Sequence, residues 1–298
     1  MNAIINQNEL PSCAAAKNAV YFCFREQKEV NRMHIVDCHC HIYPDKIAAK
    51  AVAGIGGFYD MPMQGLGTFA DARERHAKAG IDRAVVFSVA TSVPQVRSIN
   101  RFIAQTVANG GGAFIGLGAL HPDSPTLKED VDELVALGLR GVKLHHDVQQ
   151  FKLDDYRCLK IYELLEERGL PLLLHTGDYR YDYSNTNRLK PILETYTDLT
   201  VIAAHFGGWS LWEKATEELA GYPNLYVDCS SSLCAFPPET AQRLIRMYGA
   251  DRVLFGTDYP MWDPSEELAR FNAIPLTEAE RQQVLWQNAD RLFGLGLT

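Results

Sequence analysis

Apolar and polar positions come in blocks along this chain from about residue 34 onward. Short apolar runs rich in leucine and β-branched residues recur at 34–37, 84–89, 114–119, 141–145, 172–175, 201–205, 225–228 and 253–256. Each is followed by a longer amphipathic stretch. The starts lie roughly 25 to 50 residues apart, the length of one strand plus its crossover helix. Runs apolar throughout, such as 171–174, suit parallel strands covered on both faces.

The intervening stretches carry helix punctuation. Ser124 is the expected N-cap of a helix over 125–137 that stops at Gly138, and a second helix over 154–168 stops at Gly169. Pro237-Pro238 opens a stretch ending at Gly249, and Thr277 with Glu280 forms a capping box before the last helix, which ends near Gly294. Eight strand–helix units in one chain predict an α/β fold, a single closed (β/α)8 barrel over residues 34–298. A doubly wound open sheet is the runner-up. It would carry a glycine-rich phosphate turn after the first strand, where this chain has Cys38-His39-Cys40-His41. The first 33 residues fall outside the pattern and are read as an N-terminal extension. Either Met33 is the natural start or the segment forms a short helix packed outside the barrel. The longest connection, 43–68, is glycine-rich and is expected to be a functional loop.

Composition narrows the partners. The formal net charge is −8 with no Lys/Arg run, which argues against nucleic acid or an anionic membrane as partner. No run of about 18 uncharged apolar residues exists to span a bilayer. The seven cysteines are an odd number in a chain too large to need disulfide staples, so reduced thiols and a cytoplasmic location are expected. The polar N-terminus lacks the apolar core of a secretory signal. The expected partner is a small molecule, with a homo-oligomer left open.

The candidate chemistry stands at the C-terminal ends of the strands: His39 and His41, Lys143 and His145, His175, His205, and Asp258. In a barrel all of these reach one rim, where active sites sit. Side chains alternate along a strand, so His39 and His41 face the same way and can grip one ion. Cys38 and Cys40 then face the helices as buried thiols. Neutral imidazoles with a carboxylate suit Zn2+ and related divalent ions, Mn2+ included. His205 is either a hydrogen-bonded structural residue or a general acid/base. Asp258 is either a helix cap or a group that both ligates a metal and takes a proton. Lys143, if inward-facing, needs a partner. An ion pair with Asp258 or a substrate carboxylate is favoured over a carboxylated lysine bridging two metals.

The stretches 35–41, 141–145, 169–177, 204–208 and 254–260 together resemble the amidohydrolase superfamily, in its amidohydrolase-2 branch of TIM-barrel metal-dependent hydrolases. The resemblance covers nearly all of residues 34–295. It implies that His39, His41, His175 and Asp258 bind one divalent metal and that His205 sits over the reaction centre. Many relatives have proline after the strand-four histidine, where this chain has His146. The family includes hydrolases of cyclic esters and amides and also decarboxylases. The expectation is hydrolysis by metal-activated water, with Asp258 and His205 shuttling protons. The alternative is a non-oxidative decarboxylase, which needs a cation for the carboxylate: Arg180, Arg188 or Lys143. Tyr59, Trp209 and Trp262 are the expected aromatic wall of the substrate site, with His145 beside them. A metal-binding protein without catalysis would be favoured if one catalytic position were missing, and none is.

Overall fold

The computed structural model describes residues 33–297, so the expectation for the N-terminal extension lies outside the described residues. The strands are β1 (Val36–His41), β2 (Arg83–Phe87), β3, β4 (Val142–Leu144), β5 (Leu172–Leu174), β6 (Val201–Ala203), β7 (Leu225–Asp228) and β8 (Val253–Leu254). β3 consists of Phe114–Gly116 and Gly118–Ala119, interrupted at Leu117. Every neighbouring pair from β1 to β8 is parallel and in chain order. The ring closes where the chain beyond β8 runs beside β1. Cys38 N–H donates to Phe255 O at 2.8 Å, Asp258 N–H to His39 O at 2.8 Å, and His41 N–H to Tyr259 O at 2.7 Å. This is the (β/α)8 barrel that the pattern predicts.

The helices are α1 (Asp45–Tyr59) and α2 (Phe69–Ala79), α3 (Gln95–Asn109), α4 (Leu127–Ala136), α5 (His146–Gln149) and α6 (Tyr156–Glu167). They continue with α7 (Thr186–Thr195), α8 (Trp212–Leu219), α9 (Pro238–Tyr248), α10 (Pro264–Asn272), α11 (Glu278–Gln282) and α12 (Asn288–Phe293). The Thr277–Glu280 capping box forms as expected. Ser124 does not cap α4; its hydroxyl donates instead to the Asp130 carboxylate at 2.5 Å. The 43–68 connection is not a bare loop. Its alanines carry α1 through the glycines to Tyr59, and Asp60 ends the helix in the left-handed region at φ 52°. None of the helices among the described residues is long and apolar enough to cross a membrane.

One buried cluster joins Val36, Cys38, Phe87, Leu117, Leu173, Ile202, Tyr226 and Leu254, drawn from strands all round the ring, so it is the barrel interior. Ala289 and Phe293 of α12 join it and plug the end opposite the strand C-termini. Cys38 therefore lies inside the barrel and not against the helices as expected. The β1–β2 register shifts between Asp37 and Cys40, which breaks the strict alternation on which that expectation rests. The five described cysteines are free, and all but Cys234 are buried.

Asp37, fully buried, closes the seam between the first and last strands. Its Oδ1 accepts from His39 N at 3.0 Å and Thr257 N at 2.9 Å, and its Oδ2 accepts from Thr257 Oγ1 at 2.6 Å. His76 Nε2 of α2 lies 2.7 Å from Oδ2. Removing one partner of a buried charged network strands the others. Asp37→Ala should therefore lower unfolding free energy by about 3 kcal/mol, read from the urea midpoint. A change within experimental error would show that the seam does not depend on this carboxylate.

Candidate active site

Beyond the strand ends the backbone becomes unusual. His205, Phe206, Ser231 and Asp258 occupy the left-handed region at φ 60°, 51°, 47° and 60°. Such conformations are costly for residues other than glycine, and they cluster where the fold holds a functional geometry. Gly177 (φ +73°) packs so closely on Gly208 that a Cβ would approach the Gly208 Cα to 2.5 Å, so the loop after β5 can meet the loop after β6 only with glycine at 177.

The rim is dominated by imidazoles. His39 Nε2 lies 3.3 Å from His41 Nε2, and each lies 3.4 Å from Asp258 Oδ1. His39 Nδ1 lies 2.8 Å from Asp228 Oδ2. A carboxylate only accepts, so the proton sits on Nδ1 and the Nε2 lone pair faces Asp258 and His41. Burial would raise the Asp228 carboxyl. The adjacent His39 and His205 rings, with hydrogen bonds from His39 and Ser230, hold it well below the usual range instead. Burial pushes His39, His41, His145 and His175 down and His205 down to about 4, so the rings are neutral at pH 7. Burial raises the Asp258 carboxyl, opposed by His205 and by a hydrogen bond from Ser231.

These donors fit a divalent cation. Ligands about 2.1 Å from a tetrahedral ion stand about 3.4 Å from one another, which is the spacing of the His39, His41 and Asp258 atoms. His175 is not in that trio. Its ring groups with His145 and Asp147, and its Nδ1 lies 3.0 Å from His205 Nε2. His205 Nδ1 faces Ser230 O at 2.9 Å. His145 stacks on His175 with centroids 4.0 Å apart and an interplanar angle of 6°.

Lys143 is fully buried, with Nζ 3.4 Å from His39 Nε2 and 5.3 Å from the centre of the Phe87 ring. Burial lowers its pKa to about 8, opposed by Asp228 and Asp258. The expected ion pair with Asp258 does not form. The two candidate arginines are engaged elsewhere. Arg180 is paired with Asp178 at 2.7 Å and donates to Phe58 O at 2.7 Å; Arg188 is paired with Asp154 at 2.8 Å and with Asp182. Of the aromatics, Tyr59 lines the site, while Trp209 stands behind it at 5.1 Å between ring centres. Trp262 acts through another group: its Nε1–H donates to Ser231 Oγ at 2.9 Å, and Ser231 donates to Asp258 Oδ2 at 2.6 Å.

Asp37, Asp228, Ser230, Ser231 and Asp147 are the members that the sequence reasoning missed. Asp228 was within reach of it, as a carboxylate at the end of β7 by the rule that found the histidines. The serines stand two and three residues after it, but nothing in their spacing shows that they bond across to strands one, six and eight.

Comparison with known proteins agrees with this geometry. The chain is 24% identical over 257 residues to γ-resorcylate decarboxylase of Polaromonas sp. (strain JS666 / ATCC BAA-500), covering 67% of this chain and 76% of that one. The fold matches an uncharacterized TIM-barrel protein from Bordetella bronchiseptica, at TM-score 0.73 and 23% identity over 88% of this chain and 99% of that one. It also matches 5-carboxyvanillate decarboxylase from Sphingomonas paucimobilis, at TM-score 0.68 and 16% identity over 88% and 99%. A third match is a dihydroxybenzoic acid decarboxylase from Polaromonas sp. JS666 with bound manganese and the inhibitor 2-nitroresorcinol, at TM-score 0.66 and 18% identity over 89% and 98%. The profile of the family described as Amidohydrolase matches residues 36–295, and with the barrel and its rim of imidazoles and Asp258 in place, the chain belongs to that family of enzymes.

Proposed function

We propose that this enzyme is a divalent-metal-dependent carboxy-lyase that removes CO2 from a small hydroxylated aromatic acid. The sequence expectation leaned to hydrolysis of a cyclic ester or amide. Two things favour decarboxylation: the named decarboxylases among the relatives, and the setting of Asp258. That setting is the observation that carries the reading. Asp258 is a buried carboxyl with Oδ2 held by Ser231 and Oδ1 turned to the imidazoles, so one carboxyl stands at once against the candidate cation site and the space where a ring would lie.

His39, His41 and Asp258 would hold one cation, with His175 the neighbouring imidazole that would complete the set. Zn2+ and Mn2+ both suit these donors. The bound cation would supply positive charge that orients and polarises the substrate's oxygens. Asp258 delivers its proton to the ring carbon that bears the carboxylate, and a C–H bond forms there. The C–C bond then breaks, its electrons restore the aromatic ring, and the carboxylate leaves as CO2. Asp258 ends as carboxylate and takes its next proton from solvent. His205, neutral and oriented by Ser230, is the proton carrier on that return. Lys143 is the buried cation whose charge faces the substrate's carboxylate.

Purified protein loaded with Mn2+ or Zn2+ should release CO2 from 2,6-dihydroxybenzoate and leave simple lactones and cyclic amides intact. Opening of the lactones or cyclic amides without CO2 release would replace this reading with hydrolysis. Stripping the metal with a chelator should abolish turnover, and re-adding either ion should restore it.

His205→Asn should lower kcat by about 100-fold or more, the usual worth of a proton-transfer group. Elemental analysis should still find close to one metal per chain. Loss of the metal with the histidine, or two equivalents in the parent protein, would make His205 a ligand instead.

Ser231→Ala removes a hydrogen bond that favours the ionised form of Asp258, so it should raise that carboxyl's pKa. Because the proton donor must be protonated, activity falls as pH rises through this pKa. The alkaline limb of the kcat profile should therefore move up by roughly one pH unit, the worth of one charge-assisted hydrogen bond. A downward shift would contradict Asp258 acting as the acid.

A further inference from the structure

The space at the centre of the rim measures only about 20 Å3, room for a single water and too little for an aromatic ring. Its polar lining is the set of imidazoles with Asp258, and its apolar lining includes Ile55, Met63 and Pro260. A second, open space of about 700 Å3 runs along α1, within the usual size range of small-molecule sites. The helix contributes Ala49, Val52, Ala53 and Gly57 to it, and the chain returning from the helix contributes Met61 and Leu66. Met63 lines both spaces.

We propose that the groove along α1 is a subsite for an apolar substituent of the substrate, and that Met63 is the partition whose side chain swings aside to join the groove to the reaction space. This rests on the reading of the site as one for hydroxylated aromatic acids. It narrows that class to acids whose ring carries an alkyl or aryl group opposite the carboxylate.

The backbone on either side of Met63 is tied down. Met61 N–H donates to Gly56 O at 3.0 Å. Gln64 N–H and Gly65 N–H donate to Pro260 O at 3.1 and 2.9 Å, and Leu66 N–H to Asp71 Oδ2 at 2.9 Å. What is left to move is the Met63 side chain, an unbranched thioether that adapts readily to irregular spaces. It lies on bare helix backbone: a Cβ on Gly56 would stand 3.1 Å from Met63 Cγ. Glycine at that position thus leaves the helix surface free for the thioether to lie along.

Polarity sorts the two ends of a substrate. The cation site and buried Lys143 attract the carboxylate to the reaction space. The groove offers alanines, glycines, Val52 and methionines, and its charged member, Asp45, repels an anion. An apolar group on the far side of the ring gains by leaving water there.

Calorimetric titration of the metal-loaded protein with resorcinol and with 5-pentylresorcinol tests this, since neither phenol has a carboxylate to lose. The parent should bind 5-pentylresorcinol roughly tenfold tighter or more, because five further carbons enter the groove. Ala53 is exposed on α1, so Ala53→Phe puts a ring into the groove without disturbing the core. That variant should bind resorcinol as the parent does and lose the advantage of the pentyl chain. Met63→Ala removes the partition and should speed association of 5-pentylresorcinol, followed by tryptophan fluorescence after rapid mixing. Equal affinity for the two phenols in the parent would overturn the proposal, as would a pentyl advantage that survives Ala53→Phe or an association rate unchanged in Met63→Ala. Should Met63→Ala fail to fold, the titrations of the parent and of Ala53→Phe decide the matter. A parent that binds neither phenol would remove the aromatic-acid reading together with this subsite. A parent that releases CO2 from 2,6-dihydroxybenzoate but shows no pentyl advantage would keep the proposed reaction and lose the groove.

Discussion

The carboxylate of Asp37 holds the first and last strands of the barrel together, and the candidate metal trio spans the same joint. His39 and His41 come from one side of it and Asp258 from the other. Asp37 accepts from the His39 amide on one side and from Thr257, next to Asp258, on the other. A barrel can close with its strands in more than one register. A buried charge that finds all its donors in only one of them makes the alternatives expensive. The 3.3–3.4 Å spacing of the three donor atoms follows from that register rather than from the histidines and aspartate alone.

Around the trio, burial does much of the chemical work. It keeps the imidazoles neutral, so that lone pairs rather than N–H groups are available to a cation. It also raises the Asp258 carboxyl, while Asp228 is held low because His39 and Ser230 donate to it. Two buried carboxylates therefore shift in opposite directions because of their partners, the pattern by which neighbouring carboxyls come to take different roles. Lys143 is a further charge close by, and with its pKa lowered only to about 8 it remains a cation at neutral pH.

Much of this was legible in the residues. The eight apolar runs mark the strands, and the strand-end rule puts His39, His41, His175, His205 and Asp258 on one rim, where they line a common space. What it missed has physical causes. Strand periodicity says which way a side chain points but not what it bonds to on the next strand, so Asp37, Ser230 and Ser231 carried no signal. The break of register in β1 turned Cys38 inward against the expected alternation. Arg180 and Arg188 looked available as substrate cations, yet Asp178 and Asp182 lie two and six residues away and claim them. Alanines carried a helix through a stretch whose glycines argued for a loop, and that helix delivers Tyr59 to the rim.

The central claim is that Asp258 protonates a ring carbon as CO2 departs. Turnover of 2,6-dihydroxybenzoate in D2O, followed by NMR of the recovered aromatic product, tests this most directly. The account predicts one deuterium per molecule, at the carbon that carried the carboxylate, together with an equivalent of CO2. A product without deuterium at that carbon, or acid recovered intact by protein that opens lactones under the same conditions, would contradict it.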